Sequence, residues 1–559
     1  MFSKMKVLSA AVIAAGSMLS SGAFAVLPTD TPTLDLWISG ASAQDALLAG
    51  LIPSLCDDAP SGILTYTDTA GKAGVDFSAY FCTMSAAKVP GLVGTQKVMI
   101  HKRSRGGSAW GVGPVALAGV AGQPVGAVNV TQMEISFTTG GSSTGNNCKV
   151  DTTLAAGTRY VCNPLNLVDK IADAGVSDVE PAMFTGPNLI PVGADYGTVI
   201  GDAGTFSLTP AQLAKLKVSP MSAVTFGVVV TTDLRNTLQK AQGKTVGSDL
   251  IADMPSLTST QIRSLFSGAI SDWSQFTVLD TASGTWKTLD QLTTSTLATT
   301  GVNICRRDSG SGTQAQANAL FLRAPCGNGL NPVTDNSSTS LHIAYLPTGA
   351  AAGATSVNAF DSAINDATPG LALVHEGSAS GDLTACLRDL ENGKASVAAG
   401  KAWGIGIQGV TSADNAFRFV AIDGVTPTLN NVASGKYYDW AVNSIQYLQS
   451  ADGGAATTAL SGNKKIIVDK IIASASSPTL LNSLVNKANA NITGPAKLGA
   501  LALSTKGFVP NTPFSDIFPV LPISTKGADT TAAVNSCRPA TLDGINGVNQ
   551  EIISATSNL

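Results

Sequence analysis

The chain has 559 residues, 44% of them apolar and 13% charged, with a formal net charge of −4. That length supports large buried cores and excludes a mini-scaffold held by disulfides alone. The ordinary apolar fraction excludes wholesale disorder, and the weak acidity gives no electrostatic ground for nucleic acid as the main partner.

Residues 1–25 read as a secretory signal. Lys4 and Lys6 form the basic start, Val7 to Leu19 is a short apolar stretch, and Ala23-Phe24-Ala25 has the small-x-small cleavage pattern. The apolar run is too short to span about 30 Å of hydrocarbon. A periplasmic or secreted protein is expected. Without Lys4 and Lys6 it carries 32 basic and 38 acidic side chains, a net charge of −6. Charges, glycines and prolines interrupt every later apolar window, so no membrane span is expected in the mature protein.

All eight cysteines lie beyond the signal: Cys56, Cys82, Cys148, Cys162, Cys305, Cys326, Cys386 and Cys537. An even count behind an export signal favours disulfides. Proximity along the chain pairs Cys56 with Cys82, Cys148 with Cys162 and Cys305 with Cys326, leaving Cys386 with Cys537. That is one of many connectivities, and free buried thiols are the competing reading. No C-x-x-C is present, so neither a thiol redox catalyst nor a zinc knuckle is supported, and no metal or cofactor is called for.

In chain order, Leu34–Ser39 alternates as a strand, Gly40-Ala41-Ser42 turns, and Ala43–Leu51 is a helix. Gln96–His101 is a second strand, followed by the glycine-rich turn Arg105–Ser108. Residues 113–160, rich in Gly, Ala and Thr, are expected to form a β-rich excursion. Val224–Thr232 is a buried strand. Ser256–Phe266 is a helix capped by Thr258 or Ser259. Val302–Arg306 is a strand, Thr313–Leu322 a helix, and 327–370 mostly loops. Ala402–Ile407 and Arg418–Ile422 are strands. Tyr437–Leu448 is expected as an amphipathic helix, with Trp440, Val442, Ile445 and Leu448 on one side, and Leu480–Ala488 as another. Strands alternating with helices argue an α/β architecture.

The most informative stretch is Cys305-Arg306-Arg307-Asp308-Ser309-Gly310-Ser311-Gly312-Thr313-Gln314. A strand ends, a Ser/Gly loop follows and a helix begins. Unpaired N–H groups at a helix start carry partial positive charge. Glycines admit a ligand close to the backbone. Ser311 and Thr313 add hydroxyl donors, and Arg307 adds a charge-assisted contact. Together these make an anion socket; an ordinary strand-to-helix turn with a serine cap is the competing reading. The G-x-x-x-x-G-K-[ST] spacing is absent, so this is not a nucleotide P-loop.

The stretch RRDSGSGTQAQANALFL resembles the ligand loop of the periplasmic phosphate-binding proteins of ABC transporters, type-2 periplasmic binding proteins in which two α/β lobes close on the ligand. Further blocks agree in the same order. LWISGASAQDALLAGLIP resembles the family's first strand, turn and helix, which places anion contacts at Ser42 and Ala43. AGVSDVEPAMF resembles the segment with the anion-facing aspartate, here Asp178. RGGSAWG, with Ser108, stands where the family has its other serine-bearing turn. FGVVV with LTSTQIRSLFSGAISDWSQF resembles the crossing strand and the element after it, and FRFVAIDGVTPTLNNVASGKYYDW resembles the approach to the return crossing. The chain departs from the family in its length, in insertions near 113–165 and 325–370, and in its eight cysteines.

The resemblance implies a signal (1–25), a first lobe built from 26–228 plus 435–559 and a second lobe of 229–434. It implies a secreted solute-binding protein, not an enzyme, that captures phosphate or a similar oxyanion by hinge closure. An ABC-transporter permease is the implied partner. Ser42, Ala43, Ser108 and Asp178 would line one wall; Arg307, Ser311, Gly312 and Thr313 would line the other. Asp178 fits because phosphate keeps a proton that a carboxylate accepts, whereas sulfate has none; a helix cap or surface carboxylate is the competing reading of Asp178. The alternative function is an extracellular structural or surface-interaction protein that keeps this fold with a lost or altered site. A hydrolase has less support. His101, His342 and His375 sit in no metal or triad motif, and no G-x-S-x-G surrounds Ser108 or Ser311.

Overall fold

The computed structural model describes residues 26–69, 76–122, 129–136, 147–153, 159–188, 190–191, 205–206, 208–280, 282–307, 310–326, 372–377, 380–393, 400–453, 458–486, 499–503, 520–521, 523–524, 537 and 541–542. The expected signal, Asp308 and Ser309, and the expected loops of 327–370 lie outside the described residues.

The strands that place the site are β1 (Leu34–Gly40), β2 (Leu64–Thr67), β3 (Phe77–Met84), β4 (Gln96–Arg103), β5 (Cys148–Val150), β6 (Arg159–Cys162), β7 (Ala174–Ser177), β8 (Leu216–Thr231), β9 (Asn303–Arg307), β10 (Leu373–Gly377), β11 (Gly404–Gly409), β12 (Trp440–Leu448) and β13 (Ala500–Leu503). They join one mixed sheet in the order β10-β9-β11-β8-β12-β7-β1-β4-β3-β2-β6-β5, with β13 added to β8. The helices used below are α1 (Asp45–Leu51), α2 (Gly113–Ala118), α3 (Thr232–Ala241), α4 (Ser259–Phe266), α5 (Gly312–Ala317), α6 (Ser380–Asn392) and α7 (Gly462–Ala475). The chain is therefore α/β.

The long strand β8 is shared by two parts of this sheet. Its Leu216–Thr225 portion runs antiparallel to β12, with an irregularity between Pro220 and Ala223. Its Phe226–Val230 portion runs antiparallel to β11. Val228, Val229 and Val230 are fully buried, as expected of β-branched residues on a strand covered on both faces. On one side of the switch, β1 is parallel to β4 and β7. On the other, β9 is parallel to β10 and β11. Leu47, Leu48 and Leu51 of α1 and Ile467, Val468 and Ile471 of α7 share the main core. Leu383, Leu387 and Leu390 of α6 pack with Val229, Phe417 and Phe419.

Several local expectations hold with shifted ends. The first strand and helix appear as β1 and α1, with a single 3-10 turn over Ser42–Gln44 between them. Thr258 is the cap of α4, in a reciprocal capping box with Gln261, and Ser256–Leu257 is strand. The helix expected over Thr313–Leu322 is α5 continued by a π-helical turn, Asn318–Leu322. Leu480–Ala488 is represented by Pro478–Leu480 and a π turn over Leu481–Val485. Within 113–160, the strands β5 and β6 follow α2, so the β-rich excursion opens with a helix.

Two expectations are corrected. Tyr437–Leu448 is not a helix; Trp440–Leu448 is the central strand β12, buried at every position. Its apolar residues also satisfy a helical spacing, but its polar residues are what a two-sided strand needs to pair. Asn443 Oδ1 accepts from Ser222 N at 2.8 Å, and Gln446 Nε2 donates to Gly111 O at 2.7 Å. The second correction concerns the disulfides. Cys56–Cys82 and Cys148–Cys162 pair as proximity suggests, the latter directly opposite each other across β5 and β6. The others are Cys305–Cys386 and Cys326–Cys537, not Cys305–Cys326 and Cys386–Cys537. Cys305 on β9 shares its core with Cys386 on the covering helix α6, with Cα atoms 6.0 Å apart. Packing, not chain distance, selects that partner.

Among the described residues, no helix is long and apolar enough to cross a membrane.

Asp439, just before β12, is fully buried, and neither carboxylate oxygen has a hydrogen-bond partner among the described residues. Burial pushes its pKa up to about 7. The folded chain thus holds a proton that the unfolded chain releases near its ordinary value. The resulting stabilisation is present at acidic pH and is lost as pH rises towards about 7. We expect the urea midpoint to fall between about pH 4 and pH 7 and to level off above, and Asp439→Asn to flatten that fall. An unchanged slope in the variant would assign the pH dependence elsewhere.

Candidate functional site

The site residues follow the carboxyl ends of parallel strands, where open α/β sheets leave room for ligands. β1 leads to Ser42, β4 to Ser108 and β7 to Asp178; β9 ends on Arg307 and β10 leads to Ser380.

The turn after β1 is held from behind. Ala41 N donates to Val176 O at 3.0 Å. The buried Lys102 ammonium donates to Gly40 O at 2.9 Å, Ala41 O at 3.2 Å, Arg103 O at 3.0 Å and Ser104 Oγ at 2.8 Å, and stands 3.1 Å from Asp45. The 3-10 turn then presents Ser42 and Gln44. Ala43 lies in the same turn with its side chain against the core, which leaves only a backbone role. Ser108 is fully buried, and its hydroxyl oxygen accepts from Asp178 N at 3.0 Å.

On the facing side, Arg307 is 2% exposed. Its Nη1 donates to Ser42 Oγ at 2.9 Å and to Ser380 Oγ at 3.1 Å, and its Nε to Gly377 O at 3.3 Å. The Ser42 and Ser380 hydroxyls are also 2.9 Å apart. Ser311 caps α5, accepting from Gln314 N at 3.3 Å. Thr313 Oγ1 donates to Asp178 Oδ2 at 3.3 Å, and Gln44 Nε2 to Asp178 Oδ1 at 3.5 Å. Ala109 N donates to Gly310 O at 2.8 Å, a backbone contact between the two walls.

Two glycines permit this approach. Gly107 has φ +70°, and a Cβ there would lie 3.0 Å from the Ser311 Cα. A Cβ on Gly312 would lie 2.3 Å from Ser108 Oγ and 2.8 Å from Asp178 Cβ. Only glycine fits between those side chains.

Asp178 is itself 2% exposed. Burial raises its pKa to about 6; Arg307, the hydrogen bonds from Gln44 and Thr313, and Lys102 pull the other way. A buried cation, several hydroxyls and one carboxyl therefore share a small volume. Such a set can neutralise and hydrogen-bond an oxyanion.

The structure brings Ser42, Ser108, Asp178, Arg307, Gly312 and Thr313 together, with Ser311 at the start of the same helix. Sequence reasoning missed Gln44 and Ser380. Gln44 sits beside Ser42, and Ser380 lies in the stretch Gly377-Ser378-Ala379-Ser380-Gly381, a second Ser/Gly-rich sequence like that after Arg307. That likeness was the available signal. The described histidines lie elsewhere. His101 stacks on Trp37 at 3.6 Å and bonds Asp35, and His375 bonds Asn303. His342 lies outside the described residues.

No family model matches the chain, and no curated protein matches it in sequence. Among solved structures it is similar to a protein from Clostridium perfringens assigned as a phosphate ABC transporter substrate-binding protein and solved with bound phosphate. The identity is 12% and the TM-score 0.35, over 78% of this chain and 92% of that one. An ABC-type phosphate transport receptor from Vibrio cholerae is 13% identical with a TM-score of 0.31, over 80% and 96% of the two chains. PstS from Borrelia burgdorferi is 11% identical with a TM-score of 0.27, over 80% and 92%.

Proposed function

We propose that the protein is a periplasmic or secreted solute-binding protein that captures phosphate or a similar tetrahedral oxyanion between two α/β lobes. The lobes would be 26–228 plus 435–559 and 229–434, meeting at β8 and the return into β12. The observation that carries this reading is the buried Arg307 guanidinium, which donates to serine hydroxyls from both sides of the strand switch, with Asp178 and Thr313 in the same cluster. Arg307 would balance the charge, the Ser42, Ser108 and Ser311 hydroxyls and the backbone N–H groups of Ala43, Gly312 and Thr313 would donate hydrogen bonds, and Asp178 would accept the ligand's hydroxyl. Binding requires no chemistry on the ligand. Hinge closure would bury it, and a permease of an ABC transporter would receive it.

Calorimetric titration of the mature, oxidised chain with phosphate, sulfate and arsenate tests the reading. Saturable phosphate heat with weaker sulfate heat is expected. The direct Ser42–Ser380 hydroxyl contact favours a second reading, an extracellular interaction protein whose walls are tied directly to each other. Absence of heat with all three anions, from folded ligand-free protein, would select it.

Gly312→Ala places a methyl between Ser108 and Asp178. Overpacking of about 1–3 kcal/mol should hold the walls apart and weaken phosphate roughly 5- to 150-fold. Titration reads the affinity, and small-angle scattering reads the loss of closure. Wild-type affinity in this variant would show that the walls need not approach.

A further inference from the structure

We propose that Gln44 makes the site select the doubly protonated monoanion of its tetrahedral ligand, dihydrogen phosphate over hydrogen phosphate. The inference rests on the oxyanion reading above.

Gln44 has no solvent exposure, and its side chain reaches Asp178 through Nε2. Its carbonyl Oε1 is buried with no hydrogen-bond donor among the described residues. A buried acceptor left without a donor costs about 1–3 kcal/mol, so such an atom beside a ligand site calls for a donor on the ligand. Asp178 is a second acceptor. The Thr313 hydrogen already goes to Asp178 Oδ2. Ser108 and Ser311 accept backbone N–H groups, and among the described residues no acceptor takes their own hydroxyl hydrogens, which are left for a ligand. The donors thus match unprotonated ligand oxygens, while Asp178 and Gln44 match two ligand hydroxyls.

Charge points the same way. Asp178 is faced by Arg307 from β9 and Lys102 from β4, and Lys102 is engaged by Asp45 of α1 and by three backbone carbonyls. A dianion would set two negative charges beside the Asp178 carboxylate in a buried site; a monoanion halves that repulsion.

The test is a proton inventory. Inorganic phosphate is titrated into the mature chain at about pH 8, in two buffers of different ionisation heat. Uptake of about one proton per phosphate is expected, with affinity falling about tenfold per pH unit above the ligand's second ionisation. Gln44→Leu should bind phosphate with little proton uptake and a flatter pH profile. Tight wild-type binding without proton uptake, or uptake unchanged in Gln44→Leu, would overturn the assignment and leave the oxyanion reading standing. No heat with phosphate, sulfate or arsenate would overturn that reading and this inference together.

Discussion

Arg307→Ala is expected to weaken phosphate binding by about 30-fold to several thousand-fold, because truncating one member of a buried, hydrogen-bonded charge set costs roughly 2–5 kcal/mol. At this guanidinium meet Ser42 from after β1, Ser380 at the start of α6, and Gly377 O at the end of β10. No shorter side chain spans them together. Arg307→Lys keeps the charge and should recover only part of the loss, since an ammonium lacks the planar fork. Titration of both variants beside the wild type reads the effect. Near-wild-type affinity in Arg307→Ala would remove the anion socket from consideration.

Asp178→Asn should change selectivity more than affinity. An ionised Asp178 accepts a ligand proton and repels sulfate, which has none to give; an amide at the same place can donate. Polar matching of this kind distinguishes ligands by about 10⁴–10⁵. We expect the phosphate-to-sulfate preference to drop by about a thousandfold or more, with sulfate binding strengthened in absolute terms. The pH dependence follows from the same carboxyl. With its pKa raised to about 6 by burial, Asp178 is ionised above that value and protonated below it. Wild-type rejection of sulfate should therefore weaken as pH falls through about 6, because the protonated carboxyl donates, while the variant should be flat across that range. Competition titrations at several pH values check both. An unchanged preference in Asp178→Asn would return Asp178 to a purely structural role.

Much of the site was legible because its residues sit in short local patterns. The Ser/Gly stretch after Arg307, the Ser42 turn after the first strand and the Gly107-Ser108 turn are each strand-end features, and Ser42, Ser108 and the Ser311 cap keep their local form in the structure. Gln44 and Ser380 were not legible in this way. Gln44 becomes a site residue only when β7 brings Asp178 beside the β1 turn, and Ser380 only when β10 pairs with β9. The strand β12 was misread because a buried two-sided strand can carry apolar residues at helical spacing; its pairing with β8 and β7 decides.

The cysteines divide along the same line. Cys56–Cys82 and Cys148–Cys162 link neighbours in the chain, whereas Cys305–Cys386 and Cys326–Cys537 span 81 and 211 residues. By itself the sequence determined the α/β alternation, the caps and turns, and the residue types of an anion socket, since these depend on backbone preferences over a few positions. Only the tertiary structure decided which strand is shared by two parts of the sheet, which cysteines meet, and that Arg307 reaches Ser42 from 265 residues away. Those outcomes depend on long-range packing of buried faces, which no local window contains.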